Sequence, residues 1–225
     1  MQQELNVIEK EPSIKAIVIK GEGRFFSAGA DIKEFTALQG ASDYESLAAN
    51  GQKVFKRIED FKIPVIAAIH GAALGGGLEL AMSCHIRIVS ENAKLGLPEL
   101  NLGIIPGFAG TQRLPFYVGA AKAYEMILTG EPISGVEAAS LGLANKAVLE
   151  EDVFDEAVKM AEKMATKSKP TIQYIMELLS YAKSERFTEG AEAETKAFGK
   201  VFGSDDAKEG IQAFLEKRKP SFQDK

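Results

Sequence analysis

The chain has 225 residues, 45% of them hydrophobic and 26% charged, which is the balance of an ordinary globular protein and excludes disordered, collagen-like and disulfide-scaffold classes. A chain of this length buries roughly 70% of the surface it would expose unfolded, enough for a sizeable core without covalent staples. Its 27 Lys and Arg against 32 Asp and Glu leave a net charge of −5, and no basic run is large enough for a nucleic-acid footprint, so an anionic ligand would have to be held by local backbone donors.

In chain order, the N-terminal MQQELNVIEKEPS is charged throughout and lacks an apolar core, so it does not read as a secretory leader. KAIVIK at 15–20 is a short β-branched run closed by Gly21 and Gly23, and it predicts a buried strand. Residues 43–61 carry Leu47, Val54, Phe55 and Ile58 at helical spacing and stop before Pro64. Residues 36–51, with Gly40 and many small polar side chains, suggest a flap over a site. PVIAAI at 64–69 predicts a second buried strand, 71–77 a glycine loop, 78–84 a helix and IRIV at 86–89 a third strand, an order that suggests layered α/β architecture.

The window 63–82 is apolar enough to suggest a membrane span, but it contains Pro64, His70, Glu79 and a glycine cluster, so it reads as strand, loop and helix. Beyond Gly110 the pattern is helical: 113–128 closed by Gly130, a helix capped by Ser134 and closed by Gly142, and 151–167. Residues 170–219 read as nearly all helix with breaks near Gly190 and 203–205. The composition shift near Ser168 predicts a core over 1–168 and a helical region over 169–225. Cys84 is the only cysteine, so no intrachain disulfide is possible. A soluble, cytoplasmic protein with neither a membrane nor a nucleic-acid partner is expected.

Three segments carry candidate chemistry: FSAGADIK at 26–33, GAALGGGLEL at 71–80, and LPELNLG at 97–103 running into Ile105-Pro106-Gly107. In the second, a strand feeds a loop ending in three glycines and then a helix. Free N–H groups and positive partial charge gather at a helix start, and glycine lets a ligand approach the backbone closely. The loop lacks a following Gly-Lys-Ser/Thr and the dinucleotide spacing, so an oxyanion site is the better reading than a phosphate site. Taken singly, Gly75–Gly77 also fit tight helix–strand packing, Glu79 complements its helix dipole, and Glu99 reads as a solvated loop carboxylate.

In their order and spacing, FFSAGADIKEF, IPVIAAIHGAALGGGLELAMSCHIRI, AKLGLPELNLGIIPGFAGTQRLP, GEPISGVEAASLGLANKAV and EGIQAFLEKRKPSF resemble the enoyl-CoA hydratase (crotonase) superfamily over essentially the whole chain. The resemblance implies an α/β spiral of β-β-α units with a C-terminal helical region used to build homotrimers, often paired into hexamers. It implies an acyl-CoA substrate, with the N–H groups of Ala30 and Gly76 as an oxyanion hole for the thioester oxygen. It further implies Glu99 as main proton donor, Glu79 as the carboxylate that orients and activates water, and the Gly107 N–H as a contact to that water. CoA would lie along Ala28, Ala30, Asp31, Ile32 and Lys33 beside Gly75 and Gly76. Leu100, Pro106 and Phe108 would shape the acyl pocket, and Phe214 and Lys217 would lie near the adenine of a neighbouring subunit's ligand.

Because other superfamily chemistries usually replace one carboxylate, retention of both favours hydration of a 2-enoyl-CoA, as in fatty-acid oxidation. A crotonase-type isomerase or lyase is the alternative, and a catalytically weak acyl-CoA-binding subunit a third. No metal or redox cofactor is expected, since there is no Cys/His ligand cluster and hydration transfers no electrons. Two departures stand out. His85 occupies a position where the family often has Asp. The family's first strand and loop also have no counterpart, since Met1 enters near the end of the family's first helix, and this predicts an exposed edge on strand 15–20.

Overall fold

The computed structural model describes residues 1–29, 41–182 and 205–224. The described chain divides into two units, one formed by 1–17, 60–64 and 160–225, the other by 18–59 and 65–159.

The first unit holds α1 (Gln2–Glu9), which buries Leu5. The segment 60–64 places the buried Phe61 and Ile63 in it, and the Pro64 carbonyl accepts from Ile17 N–H at 2.9 Å. The composition change near Ser168 coincides with the start of a C-terminal helix (Lys169–Ala182), and a last helix (Asp205–Leu215) follows the undescribed 183–204.

The second unit carries the sheets. β1 (Ile17–Lys20), β2 (Val65–Ile69), β4 (Ile86–Ser90) and β7 (Lys146–Val148) form one sheet in the order β1-β2-β4-β7. β1 stands at one end of this order among the described strands and is half-buried at Ile17–Ile19 and exposed at Lys20, not buried as the β-branched run predicts, because it has a neighbour on one side only. β2 is buried at all five positions, the signature of a strand covered on both faces, and it pairs in parallel with β4 in the register Ile66–Ile86 to Ile69–Val89. A second sheet, which the sequence does not announce, joins β3 (Ala72–Leu74), β5 (Lys94–Gly96) and β6 (Ile133–Ser134), with β3 parallel and β6 antiparallel to β5. The expected glycine loop at 71–77 is therefore a strand followed by a one-residue turn.

α2 (Ala41–Glu59) takes the predicted amphipathic stretch. It includes most of the segment expected to form a flap, so 41–51 are helix; 36–40 lie outside the described residues. α3 (Gly76–Ser83) is buried from Gly77 to Ser83. The single helix expected over 113–128 starts earlier, as α4 (Gly110–Thr129), and is two helical pieces across a kink at Gly119, whose φ of 76° and ψ of 161° are not helical. α5 (Gly135–Ser140) is capped as expected, with Ser134 Oγ accepting from Glu137 N–H at 3.1 Å. α6 (Val153–Ala165) carries the chain from this unit to the other; α7 is Lys169–Ala182 and α8 Asp205–Leu215.

Candidate active site

The site is built where β3 turns into α3. Gly75 makes the turn with φ 54° and ψ −128°, a region that side-chain-bearing residues avoid. Its N–H donates to the Gly96 carbonyl at 3.0 Å, and its own carbonyl accepts from Leu78 and Glu79 N–H at 2.9 and 3.0 Å. The Gly76 N–H, first in the helix, finds no acceptor among the described residues. It is an orphan donor at the positive end of the helix dipole.

The segment before Ala30 is pinned beside this helix start. Phe26 N–H donates to His70 O, Ser27 N–H to Ala72 O, and Leu74 N–H to Ser27 O, at 3.1, 3.1 and 3.0 Å. Ser27 also bridges Ala73, and a Cβ added to Gly29 would stand 3.5 Å from the Gly76 nitrogen. A Cβ on Gly77 would run into the Ser27 carbonyl, so this glycine lets helix and chain close up, the packing role the sequence left open. Ala28 is exposed beside them. Ala30, Asp31, Ile32 and Lys33 lie outside the described residues.

Glu79, in the first turn of α3, is only 1% exposed. One of its oxygens, Oε1, accepts two backbone donors, Phe108 N–H at 2.8 Å and Gly110 N–H at 2.7 Å. Gly110 opens α4, whose N-cap residue, Ala109, has φ 68° and contributes no side-chain cap. Two N–H groups flanking a left-handed residue converge on one oxygen in the manner of an anion-binding nest. Glu79 thus caps a second helix from outside it. Burial pushes its carboxyl up to about 7; the two backbone N–H groups oppose that rise, Glu99 adds to it and the Arg113 charge opposes it.

Glu99 lies in a 3-10 turn (Pro98–Leu102). A Cβ on Gly75 would meet its Oε1 at 3.0 Å, so the glycine leaves room for this carboxylate. Its Oε2 is buried without a hydrogen-bond partner among the described residues, and burial raises its pKa as well. Glu99 therefore lies against the turn at Gly75, and its charge acts on Glu79, which is held by the 108–110 turn.

Around them, Pro106 is buried, Gly107 half-buried, and Leu100 44% exposed. The Phe108 ring packs edge-on against Phe55 of α2 at 5.4 Å between centroids and lies over Gly51. Lys217 follows α8 in the other unit and is exposed; the side chain of Phe214 lies outside the described residues. Sequence reasoning missed three residues behind Glu79. Arg113 donates from Nη1 to the Phe108 carbonyl at 2.6 Å and pairs with both Glu59 oxygens at 3.3 Å, and Gln52 Nε2 donates to the Gly107 carbonyl at 2.9 Å. Among the described residues, no three His, Cys, Asp or Glu side chains gather as a metal site requires. No described helix is long and apolar enough to cross a membrane.

A helix-start amide without an acceptor among the described residues, beside two carboxylates whose pKa values burial raises, is the arrangement of an acid–base site for a carbonyl compound. The enoyl-CoA hydratase/isomerase family model matches residues 1–225, and the chain belongs to that family. It is 60% identical over 219 residues to a probable enoyl-CoA hydratase of Bacillus subtilis (strain 168), covering 97% of this chain and 85% of that protein. It is 41% identical to a crotonyl-CoA hydratase of Syntrophomonas wolfei, over 97% of this chain and 84% of that one. The solved enoyl-CoA hydratase of Bacillus anthracis matches with a TM-score of 0.93 at 37% identity, over 100% of this chain and 87% of that one. The crotonase-like α/β fold implied by the sequence resemblance is thereby established.

Proposed function

We propose that this chain hydrates a trans-2-enoyl-CoA to the 3-hydroxyacyl-CoA, with Glu79 and Glu99 as its acid–base pair. The observation that carries the reading is a pair of carboxylates that act on each other, Glu79 buried in the first turn of α3 and Glu99 against Gly75 with a buried, unpartnered Oε2, beside an orphan helix-start N–H. The enzymes named among its relatives as enoyl-CoA and crotonyl-CoA hydratases support it.

The thioester oxygen binds at the Gly76 N–H, with the Ala30 N–H as second donor on the family pattern. As charge moves onto that oxygen the donors hold the enolate, and losing one such donor costs about 3–4 kcal/mol of transition-state stabilisation. Water sits between the carboxylates. Its oxygen bonds to the β-carbon while Glu79 takes the proton it sheds, and Glu99 delivers a proton to the α-carbon. One water is added across one double bond, and the pair exchanges its proton back. The reaction transfers no electrons and takes no redox cofactor or metal.

Burial raises the pKa of both carboxylates, that of Glu79 to about 7, which favours a proton on the pair towards neutral pH, the state the chemistry needs. Leu100, Pro106 and Phe108 bound the acyl side in this reading, the Gly107 N–H holds the water, and CoA follows 28–33. A cytoplasmic homotrimer, or a hexamer of two trimers with Phe214 and Lys217 near a neighbour's adenine, goes with it, and sedimentation of the purified chain reads that state.

The test is loss of the conjugated enoyl-thioester absorbance with crotonyl-CoA, with chromatographic identification of the product. Glu79→Gln and Glu99→Gln should each lower kcat by about 10²–10⁴-fold, the usual worth of a positioned acid or base. A product with a shifted double bond and no 3-hydroxyacyl-CoA would replace hydration with isomerisation. Binding of CoA esters without turnover would leave a binding subunit.

A further inference from the structure

The turn that holds Glu79 is itself braced, one peptide after another. The Gly107–Phe108 peptide has its carbonyl on Gln52 of α2 and its N–H on Glu79. The next peptide has the Phe108 carbonyl on Arg113 Nη1, at 2.6 Å. The third sends the Gly110 N–H to Glu79, while the Ala109 carbonyl accepts from Gln112 and Arg113 N–H at 3.1 and 3.0 Å. Ala109 stands at φ 68° in this arrangement, a conformation costly for alanine that persists only where its surroundings impose it. Arg113 lies one turn inside α4, its side chain 10% exposed, and points back over the helix start, where its guanidinium fork also engages Glu59 at the end of α2. That ion pair does not touch the carboxylate it serves.

We propose that Arg113, anchored by Glu59, is a positioning residue for Glu79: through the Phe108 carbonyl it fixes the 108–110 turn whose two N–H groups hold one carboxylate oxygen and leave the other turned to the reaction. The proposal rests on the paired-glutamate reading and adds the element that keeps the pair in place. Arg113 is suited to this because a planar fork can grip a carboxylate and a carbonyl at once, which an ammonium does not do in the same geometry. Its charge also acts on Glu79 directly. The charged groups acting on Glu79 are Glu99 from the 98–102 turn, which raises its pKa, and Arg113 from α4, which lowers it; Glu59 of α2 stands behind the arginine. Loss of Arg113 removes a lowering influence and loosens two more, so the apparent pKa of the pair moves up.

The experiment compares Arg113→Met, Arg113→Lys and Glu59→Gln with the unaltered chain in the crotonyl-CoA assay across pH, and adds the double variant Glu79→Gln with Arg113→Met. Arg113→Met should lower kcat on the order of 10²-fold, the cost of misplacing a catalytic group by about 1 Å, with KM little changed, and shift the carboxylate limb of the pH–rate profile upward. Arg113→Lys should return the limb towards its original pH but recover kcat only in part, and Glu59→Gln should give the same effects more weakly. In the Glu79→Gln background, Arg113→Met should cost less than threefold, because the group it positions is gone. If Glu79→Gln itself retains activity, the paired-glutamate reading fails. If Glu79→Gln collapses while Arg113→Met and Glu59→Gln keep kcat and profile, or if the two losses simply multiply, the positioning role is overturned alone. Should Arg113→Met not fold, the Arg113→Lys and Glu59→Gln profiles decide: an unmoved kcat in both overturns the proposal.

Discussion

At the scale of single residues, Glu79 combines two demands that pull against each other. It is buried among apolar neighbours, which favours its neutral form, and it accepts two N–H groups at a helix start, which favours its charged form. Burial prevails, and the carboxyl moves from its ordinary 4.5 up to about 7. The folded protein therefore binds this proton more tightly than the unfolded chain does. Stability from this group is full below about pH 4.5 and is lost as pH rises through 7. Glu79→Gln keeps a carbonyl oxygen for both N–H groups and carries no charge. Its stability relative to the parent should rise between pH 4.5 and 7 and then level off, a gap of roughly 3–4 kcal/mol at about 1.4 kcal/mol per unit, read from melting curves across that range. A difference flat across that range would mean Glu79 ionises like an exposed acid.

The same residue marks how far the sequence could be read. Glu79 and Glu99 stand out because their motifs carry a family pattern, and Gly75 and Gly76 because glycine before a helix signals close backbone approach. The donors to Glu79 lie 29 and 31 residues away, and the brace behind them reaches from Gln52 and Glu59 to Arg113. Such pairings are decided by how elements stack, which no local period encodes. Gly107-Phe-Ala-Gly110 ahead of a helical stretch was the one available signal, a helix start in search of an acceptor.

At the scale of elements, α3 has only eight residues and offers its N-terminus to a ligand, so its order depends on its other end. There Arg87, 3% exposed, donates from Nη1 to the Cys84 carbonyl at 2.6 Å and the Ala81 carbonyl at 3.3 Å, and from Nε to the Leu143 carbonyl at 2.5 Å. Its guanidinium lies 4.4 Å from the centre of the Tyr117 ring, and the Tyr117 hydroxyl donates to the Met82 carbonyl at 3.0 Å. No carboxylate pairs with Arg87 among the described residues; carbonyl dipoles, a ring face and the negative end of the helix hold the charge. Arg87→Met would leave buried carbonyls without donors, and chemical denaturation should show a loss of about 3 kcal/mol. Arg87→Lys should recover less than half, since one ammonium does not span the three acceptors. Full stability in Arg87→Met would show that water replaces the guanidinium. The longer elements near this clamp, β2, β4 and α2, were legible from β-branched runs and helical spacing. β3, β5, β6 and β7 were not: two or three residues carry no period, and only their pairing makes them strands.

At the scale of the whole chain, the two units draw on different parts of the sequence, and composition alone could not show that the first unit joins residues 1–17 to 160–225. A single carboxylate near the C-terminus makes that joining concrete. Asp224 Oδ1 accepts from Lys169 N–H at 2.8 Å, at the start of α7, and from Lys15 Nζ at 2.8 Å. Lys15 Nζ also reaches the Lys167 carbonyl, and Lys169 Nζ the Pro12 carbonyl. Asp224 thus caps the first N–H of α7 from 55 residues downstream. Partial burial works to raise its pKa, but the Lys15 and Lys169 contacts outweigh that and hold it below the usual range. A depressed pKa adds stability that is present above the unfolded value and lost as pH falls through the folded one. Asp224→Ala should therefore destabilise the protein by about 1 kcal/mol at pH 7, the ordinary worth of an N-cap, and the difference should shrink as the solution is acidified below about pH 4. Because every residue of the Glu79 site belongs to the other unit, kcat per folded molecule should stay unchanged. Melting curves for both proteins at pH 7 and at about pH 2.5, with rates at pH 7, separate the outcomes. A kcat that falls together with stability would show that the tie at Asp224 reaches the chemistry, and a stability difference that does not change with pH would assign its effect to packing rather than to charge.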